Sequence, residues 1–179
     1  MTLIINLFGQ PCAGKSTTAA GAYSILKLRG VNVEYQQEFA KSLVYEERHV
    51  TMRCQPYIFA KQLKGMELLI GKVDVLITDS PLLLSSFYGK KYQSDKYPKS
   101  FFQFVEEQFV AMGGHNYFMK RTKGYLASGR SQTEEEADAI ADELMSYLLQ
   151  LGTPVTAMNG DELAPQYLAD DIQRLLGSR

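Results

Sequence analysis

Gly9-Gln10-Pro11-Cys12-Ala13-Gly14-Lys15-Ser16 fits G-x-x-x-x-G-K-[ST] without a mismatch, and its setting constrains the fold more than any other stretch of the chain. Before it, Leu3-Ile4-Ile5-Asn6-Leu7-Phe8 reads as a buried strand; after it, Thr17 to Leu28 reads as a helix. A strand that enters a glycine-rich turn and leaves as a helix aims backbone N–H groups and the positive end of that helix at one point. Such a point suits a phosphate chain. The pattern therefore predicts that Gly9, Pro11, Cys12, Ala13, Gly14, Lys15, Ser16 and Thr17 hold a nucleotide such as ATP. Lys15 would reach the β- and γ-phosphates, and the Ser16 hydroxyl would ligate Mg²⁺. The competing account is an ordinary glycine-rich turn. In a chain of this composition a chance match has odds of roughly one per cent, and the flanking strand and helix lower them further.

The 179 residues, 45% of them hydrophobic, suit one domain over residues 1–179. A formal net charge of −1 does not suggest wholesale attraction to nucleic acid or membrane and leaves room for a local patch. Cys12 and Cys54 are too few for a disulfide framework, and a reduced, cytoplasmic setting is the simpler expectation. No apolar run approaches membrane-spanning length, and the N-terminal run feeds the glycine-rich loop without the basic flank of a signal peptide.

Helix one ends at Gly30, and Val31 to Gln36 alternates as a second strand. Strand, helix and strand at this spacing predict a right-handed parallel unit, whose ligands sit beyond the carboxyl ends of the strands. Two accounts fit Glu38, just after strand two. It is placed to accept a hydrogen bond or a proton from a substrate hydroxyl, or it is an acid favoured in a helix's first turn. Phe39 to Cys54 reads as one helix and Gln55 to Lys72 as a longer one. Asp74 to Thr78 reads as strand three, closed by Asp79-Ser80-Pro81. Asp79 is then either a magnesium carboxylate or the cap of a helix begun by Pro81.

Leu82 to Gly89 reads as a short helix. The stretch after it, Tyr88 to Lys99, carries four lysines and three tyrosines against one aspartate. A basic, aromatic segment at about 85–100 can grip a nucleic-acid strand weakly, or be a solvated loop. Lys99 to Met112 is an amphipathic helix, and His115 to Arg121 is strand four. The run from Arg121 to Arg130 suits a lid, about residues 121–132, whose arginines meet phosphates; alternatively they pair with Glu134-Glu135-Glu136. Ser131-Gln132-Thr133-Glu134 fits a capping box for a helix over Glu134 to Gln150. Pro154 to Met158 is strand five. Asn159 and Gly160 follow on its carboxyl side, beside a purine or as a plain turn before a helix capped by Asp161.

Taken in order, Gly9 to Thr17, Gln37-Glu38-Phe39-Ala40-Lys41, Asp79-Ser80-Pro81 and the run Arg121 to Ala137 resemble the small P-loop kinases of nucleosides and nucleotides. The resemblance is nearest to the ribosylnicotinamide-kinase-like group, which includes many phage-encoded proteins, and it extends over nearly the whole chain. It implies an α/β, three-layer fold with a five-stranded parallel sheet in the order 2-3-1-4-5, flanked by helices and carrying a short lid. It implies Mg-ATP as phosphoryl donor, Glu38 and Asp79 near the acceptor hydroxyl and the metal, and Arg121 and Arg130 as lid arginines. Phage relatives of this build look like kinases of thymidylate-type nucleotides or of 5-hydroxymethyluracil in DNA, which makes a nucleoside-like or DNA acceptor the expectation. An ATP-binding regulatory NTPase and a polynucleotide kinase are the alternatives, and either Glu38 or Asp79 serves as the base.

Overall fold

The computed structural model describes residues 1–122, 124 and 133–178. Its central strand, β1 (Leu3–Phe8), is buried at all six positions. A parallel strand covered on both faces has no solvent side, which is why the run is continuously apolar rather than alternating. Around it lie β2 (Val33–Gln36), β3 (Val75–Thr78), β4 (His115–Lys120) and β5 (Thr156–Asn159). Every pairing is parallel: Leu3 faces Val75, Ile5 faces His115, Val33 faces Val75, and Tyr117 faces Thr156. The resulting order is β2-β3-β1-β4-β5, the five-stranded α/β sheet expected from the sequence.

Eight helices are present among the described residues: α1 (Lys15–Leu28), α2 (Phe39–Tyr45), α3 (His49–Met52), α4 (Gln55–Leu69), α5 (Leu83–Gln93), α6 (Lys99–Met112), α7 (Glu134–Gln150) and α8 (Ala164–Gly177). Side chains two apart on a strand share a face. Leu3, Ile5 and Leu7 accordingly pack with Ala22 and Leu26 of α1 and Leu168 and Ile172 of α8. Ile4 and Phe8 join Phe59 and Met66 of α4, Leu83 of α5, Val105 of α6 and Leu144 of α7 on the other side. Each fully buried leucine or isoleucine contributes about 1.5–3 kcal/mol, so these two layers fix the strand ends from which the site is built. Among the described residues no helix is long and apolar enough to cross a membrane.

Three local expectations change. Residues 39–54 form two short helices, because Glu47 takes a left-handed φ of 56°. The Arg48 N–H then reaches the Leu43 carbonyl (2.9 Å) and the Glu47 N–H reaches Val44 (3.1 Å). This is a Schellman termination made without the glycine that usually signals it. Secondly, α5 runs four residues past Gly89. A Cβ at Gly89 would come within 2.7 Å of the Phe102 ring, so this glycine permits the close approach of α6 instead of ending a helix. Thirdly, the capping box of α7 is built by Thr133 and Glu136, while Ser131 lies outside the described residues.

Candidate active site

β1 ends at Phe8, and the chain turns through Gly9 to Ser16 into α1. Gly14 occupies the position before the helix with φ 85°, a left-handed conformation that a side chain would strain. Its cap is therefore backbone alone, and the first-turn amides of α1 have no carbonyl to meet inside the helix. Lys15 folds over the loop and donates to the carbonyls of Gly9 (2.9 Å) and Gln10 (3.0 Å). A cation above a rim of backbone N–H groups is an arrangement made for phosphate.

The β5–α8 connection packs directly on this loop. Gly160 donates its N–H to Lys120 (2.8 Å), and a Cβ at Gly160 would strike the Ala13 carbonyl. Only a residue without a side chain fits there. Asn159 is the last residue of β5 and pairs in register with Lys120. Asp161 accepts hydrogen bonds from the N–H groups of Leu163 and Ala164 (both 3.1 Å) and turns the chain into α8. The turn therefore leads into α8, whose cap position is Leu163 and not the expected Asp161, and it lies against the phosphate loop through Gly160.

The register of β2 on β3 sets Tyr35 against Ile77, so Tyr35 and Asp79, two residues further on, share a face. Tyr35 donates to Asp79 Oδ2 (2.8 Å), and Ser16 Oγ, at the start of α1, donates to the same oxygen (2.5 Å). Asp79 is only 2% exposed, and its other oxygen, Oδ1, is buried without a hydrogen-bond partner. A buried carboxylate oxygen left unmet is costly, and a divalent cation satisfies it. Ser16 donates its proton to Asp79, which leaves the lone pairs of Oγ available as ligands. The residues present therefore fit a magnesium ion. Among the described residues no group of three or more His, Cys, Asp or Glu is arranged to hold one without help from a ligand. Burial, reinforced by Asp79 and by the nearby Glu38 carboxylate, drives the Tyr35 phenol far above its ordinary range and keeps it a donor.

Glu38 stands at the position before α2, half-buried, and its side chain makes no cap to the α2 amides. Glu38 follows β2 and Asp79 follows β3, and because these strands pair in parallel both lie beyond the same end of the sheet. Arg121, just past β4, is bound by carboxylates of α7: Asp138 Oδ1 and Oδ2 (2.8 and 2.9 Å) and Glu134 Oε1 (3.0 Å). Asp138 also accepts from Gln10 of the phosphate loop (3.3 Å), so the root of the lid run and the loop share one carboxylate. Arg130 and nearly all of the lid run, residues 123 and 125–132, lie outside the described residues.

The basic stretch is largely engaged within the protein. Lys90 pairs with Glu106 (2.6 Å), Lys91 pairs with Glu143, and Lys96 lies over the Tyr97 ring at 5.3 Å. Tyr88 and Tyr92 stack on each other, 6.2 Å apart. Reading the sequence missed Tyr35, Gln10 and Asp138. The alternation of Val33 and Tyr35 carried the face of Tyr35, but the strand register that brings it to Asp79 has no local signature.

No curated protein matches the chain. The model of one family, described as an AAA domain, matches residues 4–163, a span that holds the phosphate loop, Glu38, Asp79, Arg121 and Gly160. The chain belongs to that AAA domain family and is a P-loop nucleotide-binding domain of the NTPase type.

Proposed function

We propose that this protein is a Mg²⁺- and ATP-dependent phosphotransferase, a kinase whose acceptor is a nucleoside- or nucleotide-type molecule. The observation that carries the reading is the pair of carboxylates at the ends of adjacent strands. Glu38 follows β2 and Asp79 follows the adjacent parallel β3, where Ser16 of the phosphate loop's helix donates to Asp79 and Lys15 is folded over the loop. When bound, magnesium on Ser16 and Asp79 neutralises phosphate charge and holds the triphosphate in one geometry.

The chain's own residues divide the remaining work. The amides from Gly9 to Thr17 grip the phosphates, and Lys15 offsets charge developing between the β- and γ-positions. The Asn159-Gly160 turn, packed on Ala13, closes the purine side. Asp79 with Ser16 is committed to the metal, and Glu38 serves as the base. The acceptor O–H loses its proton to Glu38 as its oxygen bonds to the γ-phosphorus, and the bond from that phosphorus to ADP breaks. Arg121, held by Asp138 and Glu134, anchors the root of the lid run, and Arg130 is the lid arginine that acts on the phosphates.

A hydroxyl acceptor gains more from a base than a phosphate acceptor, whose oxygen is already ionised. Lys90 and Lys91 are paired internally, which supports a free nucleoside or nucleotide over 5-hydroxymethyluracil in a DNA strand or a polynucleotide end. Membership in the AAA domain family favours a second reading, a regulatory NTPase in which Glu38 orients water. The test incubates the protein with γ-labelled ATP and a panel of nucleosides, nucleotides and DNA. Label on an acceptor supports the kinase, whereas label released only as inorganic phosphate supports the NTPase.

A further inference from the structure

Ser16, Tyr35 and Asp79 form a hydrogen-bond set in which both hydroxyls donate to one carboxylate oxygen. The other oxygen, Oδ1, is buried and unmet. We propose that Tyr35 is a positioning residue for the metal site: by holding Oδ2 it keeps Asp79 Oδ1 aimed at the divalent cation of a bound nucleotide. The inference rests on the nucleotide–metal site and not on the identity of any acceptor.

Three features support it. The carboxylate can rotate about its last bond, and two donors on one oxygen remove that freedom. Ser16 stands on both sides of the exchange. Its proton is spent on Oδ2 while its lone pairs would serve the cation, so Tyr35 is the one of the two donors with no second duty toward the metal. Tyr35 stands opposite Ile77 in the sheet and packs against the apolar layer between the sheet and α1 and α8, so the hydroxyl is delivered from a rigid base. Groups that orient a metal's ligands typically change its affinity by 10–100-fold when removed.

The experiment uses the full chain, a non-hydrolysable ATP analogue and Mn²⁺ followed by electron paramagnetic resonance. Tyr35→Phe removes one hydroxyl and keeps the ring in its apolar layer. It is expected to weaken Mn²⁺ binding to the protein–analogue complex by about tenfold, while affinity for the analogue in chelator stays within twofold of wild type. In an Asp79→Asn background the same substitution should have no further effect, because Tyr35 acts through that carboxylate. Unchanged Mn²⁺ affinity in Tyr35→Phe would overturn the inference, as would an equal loss of affinity for the metal-free analogue. A wild-type chain that takes up no Mn²⁺ with the analogue would remove the metal site itself, and the inference with it.

Discussion

Single side chains at the strand ends carry the chemistry, and each makes a distinct prediction. Lys15→Ala should abolish phosphoryl transfer with little change in thermal stability; its ammonium donates to the loop carbonyls of Gly9 and Gln10 and covers no part of the apolar core. Circular dichroism melting with a transfer assay checks both halves. Glu38→Gln should lower turnover by about 10²–10⁴-fold, the range for a lost general base, with ATP affinity nearly unchanged by calorimetry. Unchanged turnover would take Glu38 out of the mechanism. Gly160→Ala forces a Cβ against the Ala13 carbonyl and should destabilise the protein by about 1–3 kcal/mol, with weaker nucleotide binding.

Whole helices enter through their caps and their ion pairs. Thr133 accepts from the Glu136 N–H while Glu136 reaches back to the Thr133 N–H, so Thr133→Ala should cost about 1 kcal/mol, read as a lowered Tm. Loss of this cap also loosens the end of α7 that carries Glu134 and Asp138, the partners of Arg121. At the other end of the domain, Glu106 ties α5, α6 and α7 together by accepting from Ser86, Lys90 and Tyr147. Burial raises its carboxyl, but the hydrogen bonds from Lys90, Tyr147 and Ser86 outweigh this and leave it below its ordinary value. A carboxylate lowered on folding adds stability above its unfolded pKa and loses it as pH falls through the folded one. Tm measured between about pH 6 and about pH 3 should therefore show wild type more stable than Glu106→Gln near neutrality, with the gap closing on acidification.

Over the molecule as a whole, much of the architecture is legible from period and order. A continuous apolar run before the phosphate motif, then alternating strands and helices, leads to a parallel sheet, and its order is the one that the resemblance to small P-loop kinases implies. Where reading failed, the cause was tertiary. Gly89 looks like a stop until Phe102 is seen to need its bare backbone. Glu47 ends a helix in a conformation usually left to glycine. The pairing of Lys90 and Lys91 with Glu106 and Glu143 has no local signature, because α6 and α7 supply the acids from far along the chain. Of the site, Ser16 and Asp79 do meet as their motifs imply, but Tyr35 between β2 and Asp79 follows from register alone.

The claim beneath all of this is that the amides from Gly9 to Ser16 and the Asp79 carboxylate serve one metal–nucleotide complex. A crystal structure with Mg²⁺ and a non-hydrolysable ATP analogue tests it most directly. The account predicts phosphates seated on those amides and a cation held by Ser16 Oγ and Asp79. A triphosphate bound elsewhere, or a cation that leaves Asp79 untouched, would contradict it.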